Sequence, residues 1–433
     1  MKRLFEKISH EEIEEKSYIQ KINPQVGIQK NQKKFTFAWT AQDYLNFPES
    51  SVYLKFQIQT QAGAALAEAD KVSVINCIGN TFCRQMNISM QGKPLINHNH
   101  VDYIAYFEQQ LSHNESTAKS WCQSHLMYQD RHDVMDTLSD VNPGWKMRSG
   151  FVAQSKLCET IARPPIFPFT CKPGKYFPPG VDYKIEITRN EDDFLLLCSQ
   201  DKQYKIVIQD IYLQIRHVRI NDLEAAMAQE QFLAGAVASY AFSQVGFETF
   251  HVARGQTAIK FYHNKNMTLR PKILIMTLIS ETAYNGARHL NPFAFKHYGL
   301  TRADISVENE AVWPDGLQFD WDNGLYLHGF HQMNDVLGYN NSDDGLDITR
   351  NGWDQAFFCV CADLSATSQR SKTSGADNMV TVDFKFNKPL AENIRILCYS
   401  TYHNVCTIEQ PIMPGTKQRT MAKIVKIDEN IVT

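Results

Sequence analysis

The chain has 433 residues, with 44 Lys and Arg against 47 Asp and Glu and a formal net charge of −3. That length exceeds what one small core fills, so two domains of roughly 200 residues each are expected. The near balance of charge excludes a global basic field that would recruit nucleic acid or an acidic membrane. The longest apolar runs, such as Ile273–Ile279, fall far short of the ~20 residues that cross a bilayer. The start, MKRLFEKISHEEIEEK, lacks the apolar core of a secretory signal. A soluble chain with no stable membrane insertion is therefore expected. The ten cysteines include no CxxC pair. Cys359 and Cys361 share one face of a strand, where a bridge between near neighbours is geometrically poor, and free thiols are expected. N-x-S/T matches at Asn87, Asn114, Asn266 and Asn340 carry little weight without a secretory route.

In chain order, residues 1–16 are charged and helix-prone and read as an arm outside the core. An extended segment starts at Ser17. FTFAWT (Phe35–Thr40) and SVYLKFQIQT (Ser51–Thr60) alternate apolar with polar residues and predict the opening strands of a sheet. After a polar excursion at 61–71 and a packed stretch at Ser73–Phe82, RQMNISMQGKPLI predicts a hairpin turning at Gln91-Gly92-Lys93. From His98 to Ser120 the period becomes helical, with Tyr103, Ile104, Tyr106, Phe107 and Leu111 on one face and Asp102 in the first turn. Trp121–Ser149 is polar, holds Pro143-Gly144 and keeps no period, so it predicts a long loop. Phe151–Ile161 reads as a strand. Pro164–Pro179 reads as turn and edge, since proline cannot donate to a central ladder.

VDYKIEIT (Val181–Thr188) and YKIVIQDIYLQIRHVRI (Tyr204–Ile220) are further strands. The second places Ile206, Ile208, Ile211, Leu213 and Ile215 near one buried surface, with a bulge expected at Gln209-Asp210 to restore register. It ends one half of the chain and is expected at the junction of two barrels. Asn221–Leu233 is a linker helix, with Asn221 or Asp222 as N-cap and Gly235 just past its end. The order then repeats. Ala238–Ala253 is a long strand, Arg270–Ser280 matches SVYLKFQIQT, and ADISVENEAV (Ala303–Val312) matches the hairpin. Gly324–Trp353 is the counterpart of the Trp121 loop, Ala356–Leu364 is a strand, and Ser365–Asn378 is a disordered-looking loop. MVTVDFKF (Met379–Phe386) and NIRILCYSTYHNVCTI (Asn393–Ile408) repeat the pair that closes the first half. About eight strands per half, with no βα alternation, predict an all-β chain of two tandem eight-stranded jelly-roll sandwiches with short linking helices. The boundaries expected are an arm at 1–16, a first roll at 17–220, a linker helix at 221–235, a second roll at 236–410 and a tail at 411–433.

The side chains that bear chemistry have bland readings. Asn97-His98-Asn99-His100 spells the letters of an HNH nuclease but follows a hairpin, and reads as a polar loop capping the next helix. Asn340, Ser342, Asp344 and Gly345 stand at calcium-loop offsets, yet Asn351 replaces the bidentate Glu and turn chemistry explains the composition. His10-Glu11 would need a histidine where Glu14 stands to form a zinc motif. Glu191-Asp192-Asp193 sits at a turn, where carboxylates are usually solvated rather than convergent on one substrate atom. Lys417, Arg419, Lys423 and Lys426 could meet phosphates, but Asp428 and Glu429 follow, and a solvated tail is expected. No catalytic, cofactor-binding or metal residue is assigned. A large two-sandwich chain with no convergent polar site reads as a building block rather than an enzyme.

The segments EKSYIQKINP, DYLNFPESSVYLKFQI, VINCIGNTFCRQMNISMQGKPL, DYIAYFEQQL, NPFAFKHYGL, DWDNGLYLHGF and VTVDFKFNKPLAENIRILCYSTYHNV resemble the major capsid protein of Polinton (Maverick) elements and adintoviruses. The resemblance runs from about Glu15 to about Glu409. NPFAFKHYGL and the later Asp320–Tyr326 segment are its most specific parts. It implies a hexon-like double jelly roll. Three subunits would form a pseudo-hexameric capsomer, and capsomers would build an icosahedral shell around double-stranded DNA, assembled inside the host cell. The implied partners are two further copies, neighbouring capsomers and a penton protein. A weak contact with packaged DNA through the N-terminal arm or C-terminal tail is also implied. Trp121–Ser149 and Gly324–Trp353 are the loops expected to rise as outer towers. The competing reading is a β-sandwich that binds or cleaves glycans, suggested by 6 Trp, 18 Tyr and 25 Phe. It would need exposed tryptophans along a groove and, for an enzyme, two facing carboxylates ~5–9.5 Å apart. A domesticated capsid-derived protein that no longer assembles virions is the other alternative.

Overall fold

The computed structural model describes residues 14–29, 31–163, 176–264, 270–365, 379–412 and 423–427. The first half supplies β1 (Glu14–Ile22), β2 (Lys34–Thr40), β3 (Tyr44–Thr60), β4 (Cys83–Met90) and β5 (Lys93–His98). Helices α1 (Val101–Gln110) and α2 (Pro143–Val152) follow, then β6 (Cys158–Ala162), β7 (Asp182–Arg189) and β8 (Tyr204–Ile220). They form two antiparallel sheets, ordered β1-β8-β3-β6 and β2-β7-β4-β5.

Helix α3 (Asp222–Ala234) leads to β9 (Ala238–Val252), β10 (Ala258–His263), β11 (Ile273–Ser280), β12 (Leu300–Val307) and β13 (Glu310–Ala311). Helices α4 (Leu327–Val336) and α5 (Arg350–Gln355) precede β14 (Val360–Asp363), β15 (Val380–Phe386) and β16 (Ile394–Glu409). The second pair of sheets runs β9-β16-β11-β14 and β10-β15-β12-β13. Adding eight to each strand of the first half gives the order of the second. The chain is a double jelly roll, as the doubled alternation predicts.

Alternation explains the layering. Phe35 and Phe37 of β2, Tyr183, Ile185 and Ile187 of β7, and Leu54, Phe56 and Ile58 of β3 all point into the first core. In β8 the pairing steps from Ile208 opposite Phe56 to Asp210 opposite Lys55, so Gln209 is the extra residue of a bulge. That slip lets Ile206 and Ile211 share the buried face despite their odd spacing. β3 starts at Tyr44, earlier than the expected Ser51. Pro48 lies where the ladder to β8 is interrupted, between Asn46 and Ser51, so no central hydrogen bond is asked of it.

Several expected loops are ordered. Trp121–Ser149 contains 3-10 turns at Trp121–His125 and His132–Val134 and the start of α2, with Pro143 in its first turn, where no N–H is needed. Gly324–Trp353 likewise holds α4 and most of α5. The expected strand at Phe151–Ile161 begins only at Cys158, because Phe151 and Val152 end α2. The helix expected over His98–Ser120 stops at Gln110, and Asn114 caps a separate turn at Glu115–Ala118 through the Thr117 amide. Residues 1–13, 30, 164–175, 265–269, 366–378, 413–422 and 428–433 lie outside the described residues, and with them most of the arm, most of the proline-rich edge, Asn266 and all but Ser365 of the Ser365–Asn378 loop.

The linker helix is capped as its sequence suggests. Asn221 accepts a hydrogen bond from the Glu224 amide at 2.8 Å, and Gly235 takes φ 102, a left-handed value that glycine adopts freely. Asn221→Ala is expected to cost about 1 kcal/mol, read as a lowered urea midpoint with an unchanged slope. The tail departs from the solvated reading. Residues Ile424–Ile427 form β17, which pairs with Cys406–Glu409 at the end of β16.

Candidate assembly surfaces and the junction of the two rolls

Helix α1 joins the halves. Its sequence, VDYIAYFEQQ, is aromatic on more than one face because it is covered from more than one side. Tyr106 stacks on Phe293 with centroids 3.8 Å apart, Phe107 on Phe295 at 5.4 Å and Tyr103 on Tyr284 at 5.6 Å. Phe247 of β9 and Tyr399 of β16 complete the contact with Phe107. This corrects the expectation for Tyr204–Ile220. β8 lies inside its own sheet between β1 and β3, and α1 fills the junction. β8 meets the second half where Arg288 donates to the Tyr204 carbonyl at 2.9 Å.

A buried ionic cluster sits beside this aromatic layer. Arg148 of α2 donates from its Nη2 to both carboxylate oxygens of Asp130, at 2.8 and 2.9 Å, and both side chains are at most 1% exposed. Arg148 also donates to the carbonyls of Val74 and Tyr128. Asn291, from the second half, donates its amide to Asp130 at 2.9 Å, and its backbone N–H goes to Asp136 at 2.7 Å. A Cβ at Gly144 would stand 2.6 Å from Asp130 Oδ1 and from two carbonyls, so this packing requires glycine. Asp102 is the centre of a second cluster, accepting from Arg84 at 2.9 Å, Asn190 at 2.6 Å and the Tyr103 amide at 2.8 Å. Burial pushes its carboxyl up to about 6 even against the pull of Arg84.

The segment NPFAFKHYGL owes its composition to this junction, and Asp320–Tyr326 packs against its far end within the second half. Asn291, Phe293 and Phe295 reach into the first half, while His297 stacks on Trp321 at 3.8 Å. Trp321 donates its indole N–H to the Leu300 carbonyl at 2.6 Å and stacks on Tyr326 at 5.2 Å.

The singled-out polar residues serve local structure. His98 ends β5, and His100 is the N-cap residue of α1, packed against Phe247 and Tyr284 of the second half. Glu191, Asp192 and Asp193 diverge, to Lys33, Arg189 and Arg288 respectively. Asn340, Ser342 and Asp344 lie in an exposed turn where the Ser342 hydroxyl accepts from the Asp344 amide, and Asn351 is within α5. Among the described residues no group of three or more His, Cys, Asp or Glu is placed to hold a metal ion. His10, Glu11, Lys417, Arg419, Asp428 and Glu429 lie outside the described residues, and Glu14 is the first residue of β1. Lys423 is buried over the Phe232 ring of α3, and Lys426, whose side chain is about half exposed, pairs with Glu409. Cys359 and Cys361 lie side by side with sulfurs 3.7 Å apart, both buried. Of the tryptophans, Trp145 and Trp353 are buried, and Trp121 is half exposed.

Among the described residues, two groups of exposed apolar side chains stand out. One follows the edge of the first roll at β6, where Trp121, Leu157 and Ile161 are exposed and Ser124 caps the Ile161 carbonyl at 3.0 Å. The other is α3, which exposes Leu223 and Met227 one turn apart and buries only Phe232. No described helix is long and apolar enough to cross a membrane.

No protein-family profile matches the chain. A Caenorhabditis elegans protein described as "Uncharacterized protein F54H12.2" is 23% identical over 341 residues, covering 73% of this chain and 76% of its own. Among solved structures, a chain of the Sputnik virophage, determined by cryo-EM, superposes with a TM-score of 0.60 at 10% identity, over 96% of this chain and 89% of that one. The mavirus major capsid protein gives 0.56 at 12% identity over 96% and 91%. The Faustovirus major capsid protein gives 0.53 at 8% over 90% of each. At these identities the likeness is one of fold, and the protein is a double jelly roll of the architecture found in these viral capsid proteins.

Proposed function

We propose that the chain is a major capsid protein of the Polinton (Maverick) and adintovirus type, with a mechanical rather than catalytic role. Three copies form a pseudo-hexameric capsomer, and capsomers close an icosahedral shell around double-stranded DNA. The observation that carries this reading is the span of the likeness. It runs through both rolls, over 96% of this chain and 91% of the mavirus capsid protein, so the pairing of rolls is shared and not a single sandwich. In this reading residues 17–220 and 236–410 are the two rolls, 221–235 links them, and 1–16 and 411–433 make contacts within the shell. The penton protein and packaged DNA are further partners.

The physical case rests on rigidity and apolar edge. The aromatic and ionic junction fixes one roll against the other, which a six-cornered capsomer built from three two-roll subunits requires. A ring of three is closed by a heterologous contact, the flank of one subunit against a different flank of the next. Such obligate contacts typically bury about 2,000 Å² or more with an apolar centre. The exposed Trp121, Leu157 and Ile161 at the β6 edge suit that centre. The test is the solution mass of the purified chain with negative-stain imaging. A stable trimer with a hexagonal outline is expected, and a clean monomer across the micromolar range would overturn the reading. The nematode relative motivates the domesticated alternative, which would give trimers that never close into shells.

A further inference from the structure

Between α1 and the strands β11 and β16 lies a cavity of about 390 Å³. Its apolar lining is Phe107, Leu111, Ile273, Ile275, Leu337 and Tyr399. The volume falls within the roughly 300–1,000 Å³ of small-molecule sites, which favour boundaries between domains, and this lining comes from both halves of the chain. Glu108 is its one charged residue. Among the described residues Glu108 enters no ion pair, and its carboxylate has a single long hydrogen bond, from the Tyr399 hydroxyl at 3.4 Å. A carboxylate offers about four lone-pair sites, so most of its accepting capacity is unused. Gln109, also in the lining, has a buried Oε1 with no hydrogen-bond partner.

An acidic group and an orphaned acceptor beside an apolar chamber call for a ligand with an apolar body and several N–H donors at one end. A primary ammonium supplies three such donors, and a desolvated carboxylate without a counter-ion favours a cation over a neutral hydroxyl. We propose that this cavity binds a primary aliphatic amine, its chain against Phe107, Leu337 and Ile275 and its ammonium on Glu108 and Gln109. Since α1 belongs to one half and β11 and β16 to the other, the bound amine tightens the junction. It raises the stability of the folded chain by mass action.

The test uses the full chain at about pH 8, above the value of about 7 to which burial raises the Glu108 carboxyl, with octylamine and octan-1-ol as matched probes in calorimetry and thermal melts. Octylamine is expected to bind saturably, one per chain, and more tightly than octan-1-ol, with a melting temperature that rises with its concentration. Glu108→Gln is expected to weaken octylamine about tenfold and leave octan-1-ol unchanged, the loss of one charge-assisted contact. Leu337→Trp, which fills the chamber from its apolar lining and leaves Glu108 in the chain, is expected to abolish both and serves alone should the Gln variant not fold. Octylamine that binds no tighter than octan-1-ol, or that is insensitive to both substitutions, would overturn the proposal.

Discussion

Arg148→Met is expected to lower the stability of the folded chain by about 3–5 kcal/mol, the cost of leaving one partner of a buried ion pair behind. The substitution keeps much of the volume and apolar stem of the side chain, so the loss isolates the guanidinium. What remains is the Asp130 carboxylate, at 1% exposure, with the Asn291 amide as its other side-chain donor, and the Val74 and Tyr128 carbonyls each lose a donor. Urea unfolding reads the effect as a midpoint shift with little change in slope. The double variant Arg148→Met with Asp130→Leu should recover a large part of the loss, since removing both charges removes the stranded one. A single-variant loss under about 1 kcal/mol would mean that water reaches the cluster.

Acidification is expected to destabilise the protein between about pH 6.5 and 4. Burial holds His98, His100 and His125 down to about 4, with His125 further lowered by His113 and His100 by Arg84 and Arg395. In the unfolded chain a histidine protonates near 6.5. Inside that window the unfolded state binds more protons than the folded one, so stability falls as pH falls, by at most about 1.4 kcal/mol per pH unit for each histidine. His113 and His217 shift in the same direction through burial. Asp102 and Glu108 act oppositely. Burial raises them to about 6 and about 7, so each costs stability when ionised and returns it on protonation below those values. The histidines outnumber them, and a net loss of several kcal/mol is expected on passing from pH 7 to 4. Urea midpoints measured at intervals across that range test this. His125→Gln, which removes a side chain at 1% exposure with an unpaired Nε2, should flatten the profile. A profile that is flat in the parent chain would contradict the account.

The two rolls were legible because alternation fixes which residues face a core, and strands such as Lys34–Thr40 and Val380–Phe386 alternate cleanly. The bulge at Gln209 was legible for the same reason, as a break in that alternation. The junction was not. Arg148, Asp130 and Asn291 are polar residues in polar-looking segments, and Asn291 is 161 residues from Asp130. Local pattern reads such residues as solvent-facing, and only a partner from the other half makes them core. Lys423 escapes local pattern in the same way, because the ring beneath its ammonium, Phe232, belongs to the linker helix. For α1, an abundance of aromatics signalled burial, but nothing in its own sequence said that half of its cover comes from Phe247, Phe293 and Tyr399.

That division of α1 has a consequence for synthesis. The helix belongs to the first half, yet its contact from Glu108 to Tyr399 spans 291 residues. At the roughly 5–20 residues per second of translation, this helix waits on the order of 15–60 s for its cover after it leaves the ribosome. Tyr103 and Tyr106 gain Tyr284 and Phe293 earlier in that interval, and Phe107 gains Tyr399 at its end. The first roll can close its sheets early, but it cannot hide this helix alone. Two rolls with the same strand order thus resemble independent units, yet the packing of α1 ties the completion of the first to the synthesis of the second.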